Sequence, residues 1–330
     1  MQTSPYQLRI VSKELRDAFD ARNTVLKPRI GERPTPQHSE VLAKMARRMP
    51  LLGKVELRIE GNWLMDMTEF FTACAERNLR ELYLLNVTHV QKSSLSDIAP
   101  LAMLRSLNCI SLAFTKVADI SPLRGMQLTY LSIFESCVHD LSPLQGMTTL
   151  KTLDMGSIYF GNDSIPPIDL SPLAGAGMQL DQLWMIDTDV LSLSPLRDMT
   201  TLRELALACF PRQYDLSPLA GLHLEVLDVF AFEPVPLMGM TTLRSLTISA
   251  ASEYEIMDLS MLAGLRLEVL EIGHQIGDLS PLRGMTTLRY GISLSQSRNL
   301  SVPFPLRPYP LSGNSKLPRQ SFWTCHLWPN

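Results

Sequence analysis

The sequence is poor in cysteine and lacks the signals that mark secreted or membrane-spanning proteins. Its five cysteines among 330 residues are scattered and form no CxxC pair, which argues against a disulfide framework or a zinc site. No run of 18 apolar residues indicates a membrane span, and the first residues lack the pattern of a secretory signal. We therefore expect a cytoplasmic protein that has no membrane partner.

Signatures of catalysis are also missing. The sequence contains no Walker-type phosphate loop, no GxSxG or HExxH motif and no protein-kinase signature. Its six histidines occupy unrelated positions, and the His139–Asp140 pair has no nucleophile placed beside it. We therefore expect a protein that is not an enzyme and that has no catalytic residue, metal or cofactor.

Positive charge is scarce in the middle of the chain. Residues 1–50 hold ten basic and five acidic side chains, and residues 295–330 hold four basic and no acidic ones. Since the net charge of the whole chain is −3, the section between these ends is strongly acidic. An acidic body disfavours nucleic acid as its ligand, because phosphate binding needs the opposite sign.

What the sequence does contain is a repeated phrase. DLSPLRGMTTLR at 278–289 is nearly repeated at 140–151 and at 193–203. One such unit has too few apolar residues to enclose a core, so the units must stack. Each version of D-[LI]-[SA]-P-L is followed by an LxxLx[LIVM] segment, and the versions begin at Asp97, Asp119, Asp140, Asp169, Ser192, Asp215, Glu233, Asp258 and Asp278.

The residue types in the repeat have a structural explanation. The last two apolar residues of LxxLxL are two apart and share one face of a strand. Ser-Pro starts a tight turn with Ser as its cap, and the Gly before Met permits a positive φ. We interpret the recurring Met as filling of the core, and the repeated Asp as an acceptor for its own turn rather than a ladder for cations.

With its 20–23-residue period, LxxLxL segments and DLSPL turns, the chain resembles leucine-rich-repeat proteins of the short bacterial, internalin-like type. The stretch LNCISLAFTKVADISPLRGM at 107–126 looks like repeats of planctomycete-type bacteria. Thr115, Ser136 and Thr188 replace the Asn that is usual after the strand, and their hydroxyls can still bond backbone. The resemblance implies an α/β solenoid with a parallel β-sheet on its concave face and short 3-10 turns on its convex face.

Three regions follow from these patterns. Residues 1–50 are expected to form a helical cap or extension, with helices over 7–22 and 36–49, although a small partner-binding module is the alternative. Residues 51–294 are expected to form about 10 to 11 repeats. Residues 295–330 are Pro-rich and predicted to be disordered, and truncation or a shifted reading frame is a hypothesis for their origin.

Candidate contact residues occupy the strand positions that alternate with the buried leucines. The central column of these positions is predicted to consist of Glu56, Tyr83, Ser111, Ser132, Asp154, Trp184, Ala206, Asp228, Thr247 and Glu271. Large aromatics beside carboxylates at such positions indicate an interface. The concave-face candidates are Tyr83, Phe134, Asp154, Trp184, Asp187, Asp228, Phe230 and Glu271. The longer loops add a second set of aromatics, which either contact a partner or fold over the edge of the core: Tyr159, Phe160, Tyr214 and Tyr254.

Ten strand steps give a predicted concave surface about 48 Å long, which suits a protein or peptide ligand better than a small molecule. We therefore expect a non-catalytic scaffold that binds a protein or peptide through its concave face and an aromatic loop edge. Two alternatives stay open. The chain could be the sensor or regulatory portion of a larger signalling enzyme such as a bacterial Ser/Thr kinase. It could also be a decayed copy without function, because the repeat fails near Gly291, where a core leucine is expected.

Overall fold

The structure of the protein is a computed structural model. The predicted helix over 7–22, except for its last residue, the tail over 295–330 and the candidates Asp187, Tyr159, Phe160 and Tyr254 lie outside the residues that it describes. Its contacts divide the chain into a unit Met1–Arg298 and a unit Asn299–Asn330, and only the first contains described residues. The described residues are 22–30, 36–59, 67–86, 95–156, 167–175, 177–186, 188–207, 214–230, 237, 240–249, 256–257, 259–272, 275–276, 278–288 and 290–291.

All but two of the described strands form one long parallel sheet. They are β1 Val25–Leu26, β2 Arg29–Ile30, β3 Lys54–Ile59, β4 Glu81–Asn86, β5 Cys109–Ser111, β6 Tyr130–Ser132, β7 Thr152–Asp154, β8 Gln182–Trp184, β9 Glu204–Leu207, β10 Val226–Phe230, β11 Ser245–Ser249, β12 Ile256–Met257, β13 Val269–Ile272, β14 Gln275–Ile276 and β15 Tyr290–Gly291. From β3 to β11 every strand pairs with the next one along the chain, and β13 and β15 continue the series. β12 and β14 form a separate parallel pair. This order confirms the predicted solenoid of stacked units.

Two helices precede the regular repeats, α1 over Pro36–Arg48 and α2 over Thr68–Glu76. α1 confirms the predicted helix over 36–49 with Pro36 as its first residue. α2 was not predicted, because the first repeats were assumed to resemble the later ones. The two helices pack together, and Arg47 of α1 forms ion pairs with Glu69 and Glu76 of α2 at 3.1 and 3.4 Å. Among the described helices, none has the length and apolar character needed to cross a membrane.

The DLSPL phrase forms a short 3-10 turn, as the resemblance implied. In the turn Ser121–Leu123, the Asp119 carboxylate accepts the backbone N–H of Ser121 at 2.7 Å. The prediction of Ser as the cap was wrong, since Ser121 is the first residue of the turn and its hydroxyl donates to Asp119 at 2.9 Å. The structural role predicted for the repeated Asp is confirmed by the same backbone bond at Asp140, Asp169, Asp215 and Asp278.

The apolar side of the sheet and the turns enclose one continuous core. Leu153 shows the arrangement, because it lies between Leu131 and Leu183 of the neighbouring strands and is fully buried. The recurring methionines fill this core as predicted, with Met126, Met147, Met199, Met240 and Met285 all buried. The column of leucines ends where Leu270 pairs with Gly291, which is the position at which the repeat fails in the sequence.

Glycine and hydroxyl side chains shape the connections between strands. Gly125 and Gly146 adopt positive φ values of 75° and 76°, which confirms the role predicted for the Gly before Met at these two turns. The hydroxyl of Thr115 donates to the Leu112 carbonyl at 2.7 Å, and that of Thr188 donates to the Met155 carbonyl at 2.7 Å. The residues that replace the usual Asn therefore bond backbone, as expected.

The TT pair that occurs in every second repeat has a bond of its own. The hydroxyl of Thr201 donates to the backbone carbonyl of Leu180 in the preceding repeat at 2.7 Å. Equivalent bonds join Thr149 to Leu128, Thr242 to Leu224 and Thr287 to Leu267. The second Thr of the phrase therefore links consecutive repeats along the solenoid.

Candidate functional site

The strand register places the predicted central column on one face of the sheet. Neighbouring strands pair the members of this column directly, in the order Glu56, Tyr83, Ser111, Ser132, Asp154, Trp184, Ala206, Asp228, Thr247 and Glu271. Because residues two apart share a face of a strand, a second column lies beside it. That column consists of Lys54, Glu81, Cys109, Tyr130, Thr152, Gln182, Glu204, Val226, Ser245 and Val269. These two columns are called the concave face below.

The first strands of the concave face hold a network whose members satisfy one another. Lys54 lies 3.3 Å from carboxylate oxygens of both Glu56 and Glu81, and its Nζ is 4.5 Å from the ring centroid of Tyr83. The Tyr83 hydroxyl is 2.9 Å from the Cys109 sulfur. Burial raises the pKa of the Cys109 thiol, so little of it is present as the reactive thiolate. Lys27 also pairs with Glu56 at 2.8 Å, so the charges at this end of the face are compensated, and the Cys109 thiol is not activated.

The middle of the concave face carries a desolvated carboxylate among aromatic rings. Asp154 accepts the Ser132 hydroxyl at 2.8 Å and the Gly156 N–H at 3.4 Å, yet burial still raises the pKa of its carboxyl group. Trp184 pairs with Asp154 on the next strand and is half-buried. The Phe134 ring packs so closely over Gly156 that a Cβ there would lie 3.1 Å from it. We call Ser132, Phe134, Asp154 and Trp184 the central patch.

The last strands of the concave face hold a second desolvated carboxylate. Burial, and to a smaller degree the neighbouring charge of Glu271, raises the pKa of Asp228 to about 6. Among the described residues, no basic group contributes to the pKa of either Asp154 or Asp228. Within that part of the chain, both carboxylates are therefore partly removed from water without a compensating cation.

The strand order and turns are matched by solved structures. No family model and no curated protein matches the chain. An internalin from Listeria monocytogenes, inlF, superimposes with a TM-score of 0.52 at 20% identity, over 85% of this chain and 89% of that one. This is a leucine-rich-repeat fold of the short, internalin-like type. Two further solved structures align with this chain at lower TM-scores than inlF does. Internalin C2 of the same organism aligns at 0.43 and 22% identity over 69% of this chain and 84% of that one, and the leucine-rich repeat domain of APL1B at 0.46 and 14% over 88% and 86%.

One predicted loop contact of this leucine-rich-repeat chain is turned toward the core. Tyr214 packs against the buried residues, and its hydroxyl oxygen accepts the Val190 N–H at 3.2 Å and donates to the Asp189 carboxylate at 3.0 Å. Tyr214 therefore covers the edge of the core, which was the alternative to partner contact. Two further described candidates, Phe134 and Phe230, also lie beyond the two columns, and Phe230 ends β10 and pairs with Ser249.

Sequence reasoning missed the second column of the concave face. Tyr130 lies there half-buried, and desolvation together with the charge of Asp154 raises its pKa to about 12. Lys54 and Cys109, which engage Tyr83, belong to the same column. The signal was present in the sequence, because each of these residues precedes a member of the central column by two positions.

The described part of the concave face carries no activated nucleophile. Its thiol at Cys109 faces a tyrosine hydroxyl and has a raised pKa, whereas an activated cysteine needs a base or a positive environment. The described histidines, His38, His139 and His223, all lie off the two columns and are exposed. Within the described residues, no group of three or more acidic, histidine or cysteine side chains is placed to hold a metal ion.

Proposed function

We propose that this leucine-rich-repeat protein is a non-catalytic scaffold that binds a protein or peptide segment on its concave face, with Trp184 as the principal contact. The observation that carries the proposal is the central patch. A half-buried tryptophan lies beside the desolvated carboxylate of Asp154 in the middle of the concave face. Tryptophan is among the residues that contribute most to binding energy at protein interfaces.

The scaffold beneath the central patch is rigid, which favours binding. Trp184 belongs to β8, whose residue Leu183 is fully buried between Leu153 and Leu205. Asp154 is held by the Ser132 hydroxyl, and Phe134 packs edge-on against Phe114 with ring centroids 5.3 Å apart. Side chains that are already ordered lose less conformational entropy when a partner binds.

The proposal is tested by selecting ligands without assuming their chemistry. A displayed library of random peptides is panned against the immobilised full-length chain, and the enriched peptides are synthesised. Their affinity is then measured for the native protein, Trp184→Ala and Asp154→Asn. We expect Trp184→Ala to weaken concave-face ligands at least about tenfold, because a buried aromatic anchor is lost.

Leu191→Ala provides the matched control. Leu191 is 64% exposed and lies outside both columns of the concave face. Its replacement by Ala, like that of Trp184, removes a large apolar side chain. It should leave the affinities unchanged. Far-UV circular dichroism and thermal melting establish that each variant is folded. Selected peptides that bind Trp184→Ala as tightly as the native chain, or a selection that enriches nothing, would refute the proposal.

A further inference from the structure

The further inference concerns the chemistry of the segment that the concave face accepts, and it rests on the proposed function. We infer that the segment is an extended cationic peptide that crosses the strands. It places two basic side chains, four residues apart, over Asp154 and Asp228. Between them, an apolar side chain contacts Trp184 and Ala206.

The sign of the charge on the concave face supports a cationic partner. Lys54 is the basic member of the two columns, and it is already paired with Glu56 and Glu81. From β5 onward, the charged residues of both columns are all acidic. They are Asp154, Glu204, Asp228 and Glu271. The basic side chains Arg203 and Arg244 lie one position before the columns, where they face Glu225 and Glu268 at 3.9 and 3.3 Å.

The desolvation of Asp154 and Asp228 is a second argument for a cationic partner, separate from the excess of acidic residues on the face. Burial raises the pKa of Asp154 and of Asp228, so each carboxylate is less stable in the free protein than in water. A guanidinium or ammonium group of the ligand would stabilise the buried carboxylate by its opposite charge. It would also form a charge-assisted hydrogen bond with that carboxylate. An acidic residue that is exposed to water, such as Asp198, gains far less from the same cation.

The spacing of the two aspartates selects an extended segment. Asp154, Trp184, Ala206 and Asp228 are consecutive partners in the register, so the two carboxylates are three strands apart. Three strand spacings amount to about 14 Å, and four residues of extended chain span about the same distance. Alternate side chains of an extended chain point to the same side. Residues i, i+2 and i+4 of the segment therefore all face the sheet.

The residue between the two basic positions meets an apolar floor. Trp184 and Ala206 are the two members of the column that separate Asp154 from Asp228. Ala206 is 9% exposed, and its side chain is a single methyl group, so Trp184 supplies most of the apolar surface of this floor. An apolar side chain at i+2 would cover this floor, and the flanking cations could also approach the face of the indole ring.

The test uses a labelled probe peptide of nine residues. It carries Arg at its third and seventh positions, Leu at its fifth and Ser elsewhere. Two further peptides have Glu in place of both Arg, or the second Arg moved one position closer. Fluorescence anisotropy with the full-length chain should show binding of the probe, weakened at least about tenfold by Asp154→Asn and by Asp228→Asn. The other two peptides should bind at least about tenfold more weakly.

Asp198→Asn is the matched control, since it removes the same charge from an exposed turn. It should change the affinity less than about twofold. Equal binding of the probe to the native chain and to both concave-face variants would show attraction to the acidic body alone and would overturn the inference. Library peptides that depend on Trp184 but contain no basic pair four residues apart would also overturn it, while leaving the proposed function intact.

Discussion

Replacing Asp228 by Asn should stabilise the protein at neutral pH, although it removes a charge from the proposed binding face. The Asp228 carboxylate is largely buried and has the charge of Glu271 nearby. Asn has almost the same shape and carries no charge, so the exchange removes the unfavourable electrostatic terms and leaves the packing nearly unchanged. The effect on stability is therefore opposite in sign to the usual cost of a substitution in a binding site.

The magnitude follows from the pKa of Asp228. A rise from its ordinary value of 3.8 to about 6 corresponds to roughly 3 kcal/mol in the free energy of unfolding. The side chain keeps some contact with water, and the repulsion by the exposed Glu271 is screened by salt. We therefore expect Asp228→Asn to raise the free energy of unfolding at pH 7.5 by about 1 to 2 kcal/mol.

The dependence on pH has a defined direction. Above pH 6 the carboxyl of Asp228 is ionised in both the folded and the unfolded chain, so the native protein bears the whole cost. Between pH 6 and pH 4 the folded chain binds a proton that the unfolded chain does not, and the native protein gains stability relative to the variant. The advantage of Asp228→Asn should therefore shrink through this range and vanish near pH 4.

Thermal melting followed by circular dichroism at pH 7.5, 6 and 5 measures this difference. Asp119→Ala serves as a contrast, because hydrogen bonds from Ser121 lower the pKa of the exposed Asp119 carboxyl. Its loss should lower the melting temperature most at pH 7.5 and less as the pH falls toward the ordinary pKa of aspartate. A melting temperature of Asp228→Asn at or below that of the native protein at pH 7.5, or a difference that is constant with pH, would refute the reasoning.

Two further predictions concern the links between repeats. Thr201→Val removes the hydroxyl that bonds the preceding repeat and should lower the free energy of unfolding by about 1 kcal/mol, whereas Thr200→Val at the exposed neighbour should have a smaller effect. Gly156→Ala places a Cβ 3.1 Å from the Phe134 ring, so we expect a loss of about 1 to 3 kcal/mol and weaker binding of the selected peptides. Gly175→Ala enters open space and is the control. Melting curves and peptide affinities check both predictions, and a Gly156→Ala protein that equals the control in both would contradict the second.

The predicted concave column agrees with the structure in every strand pair from Glu56 to Glu271. This success has a simple cause. The LxxLxL pattern repeats one alignment many times, and in a parallel stack a residue lies beside its equivalent in the next unit. A residue assigned to the wrong strand position in one repeat is therefore revealed by comparison with the neighbouring repeats. The unpredicted helix α2 lies in the part of the array that has no clean DLSPL phrase before it, where this redundancy is missing.

The hydrogen bonds within single turns and loops were harder to predict than the alignment of the stacked repeats. Both Ser121 and Asp119 are residues that favour turn starts, so their types alone did not show which of them caps the turn. Tyr214 presented the same difficulty, because an aromatic residue in a loop has no periodicity that tells an outward ring from an inward one. Packing against the core and the bonds to Val190 and Asp189 decided its orientation.

The sequence by itself determined the solenoid, the register of its sheet and the identity of the residues on the concave face, because periodicity is a property of the chain. The tertiary structure alone decided their physical state. It brought Lys54, Tyr83 and Cys109 into contact, and it left Asp154 and Asp228 desolvated with no cation beside them among the described residues. Burial and charge pairing depend on which side chains of different repeats come into contact. These contacts cannot be predicted from the sequence of any single repeat.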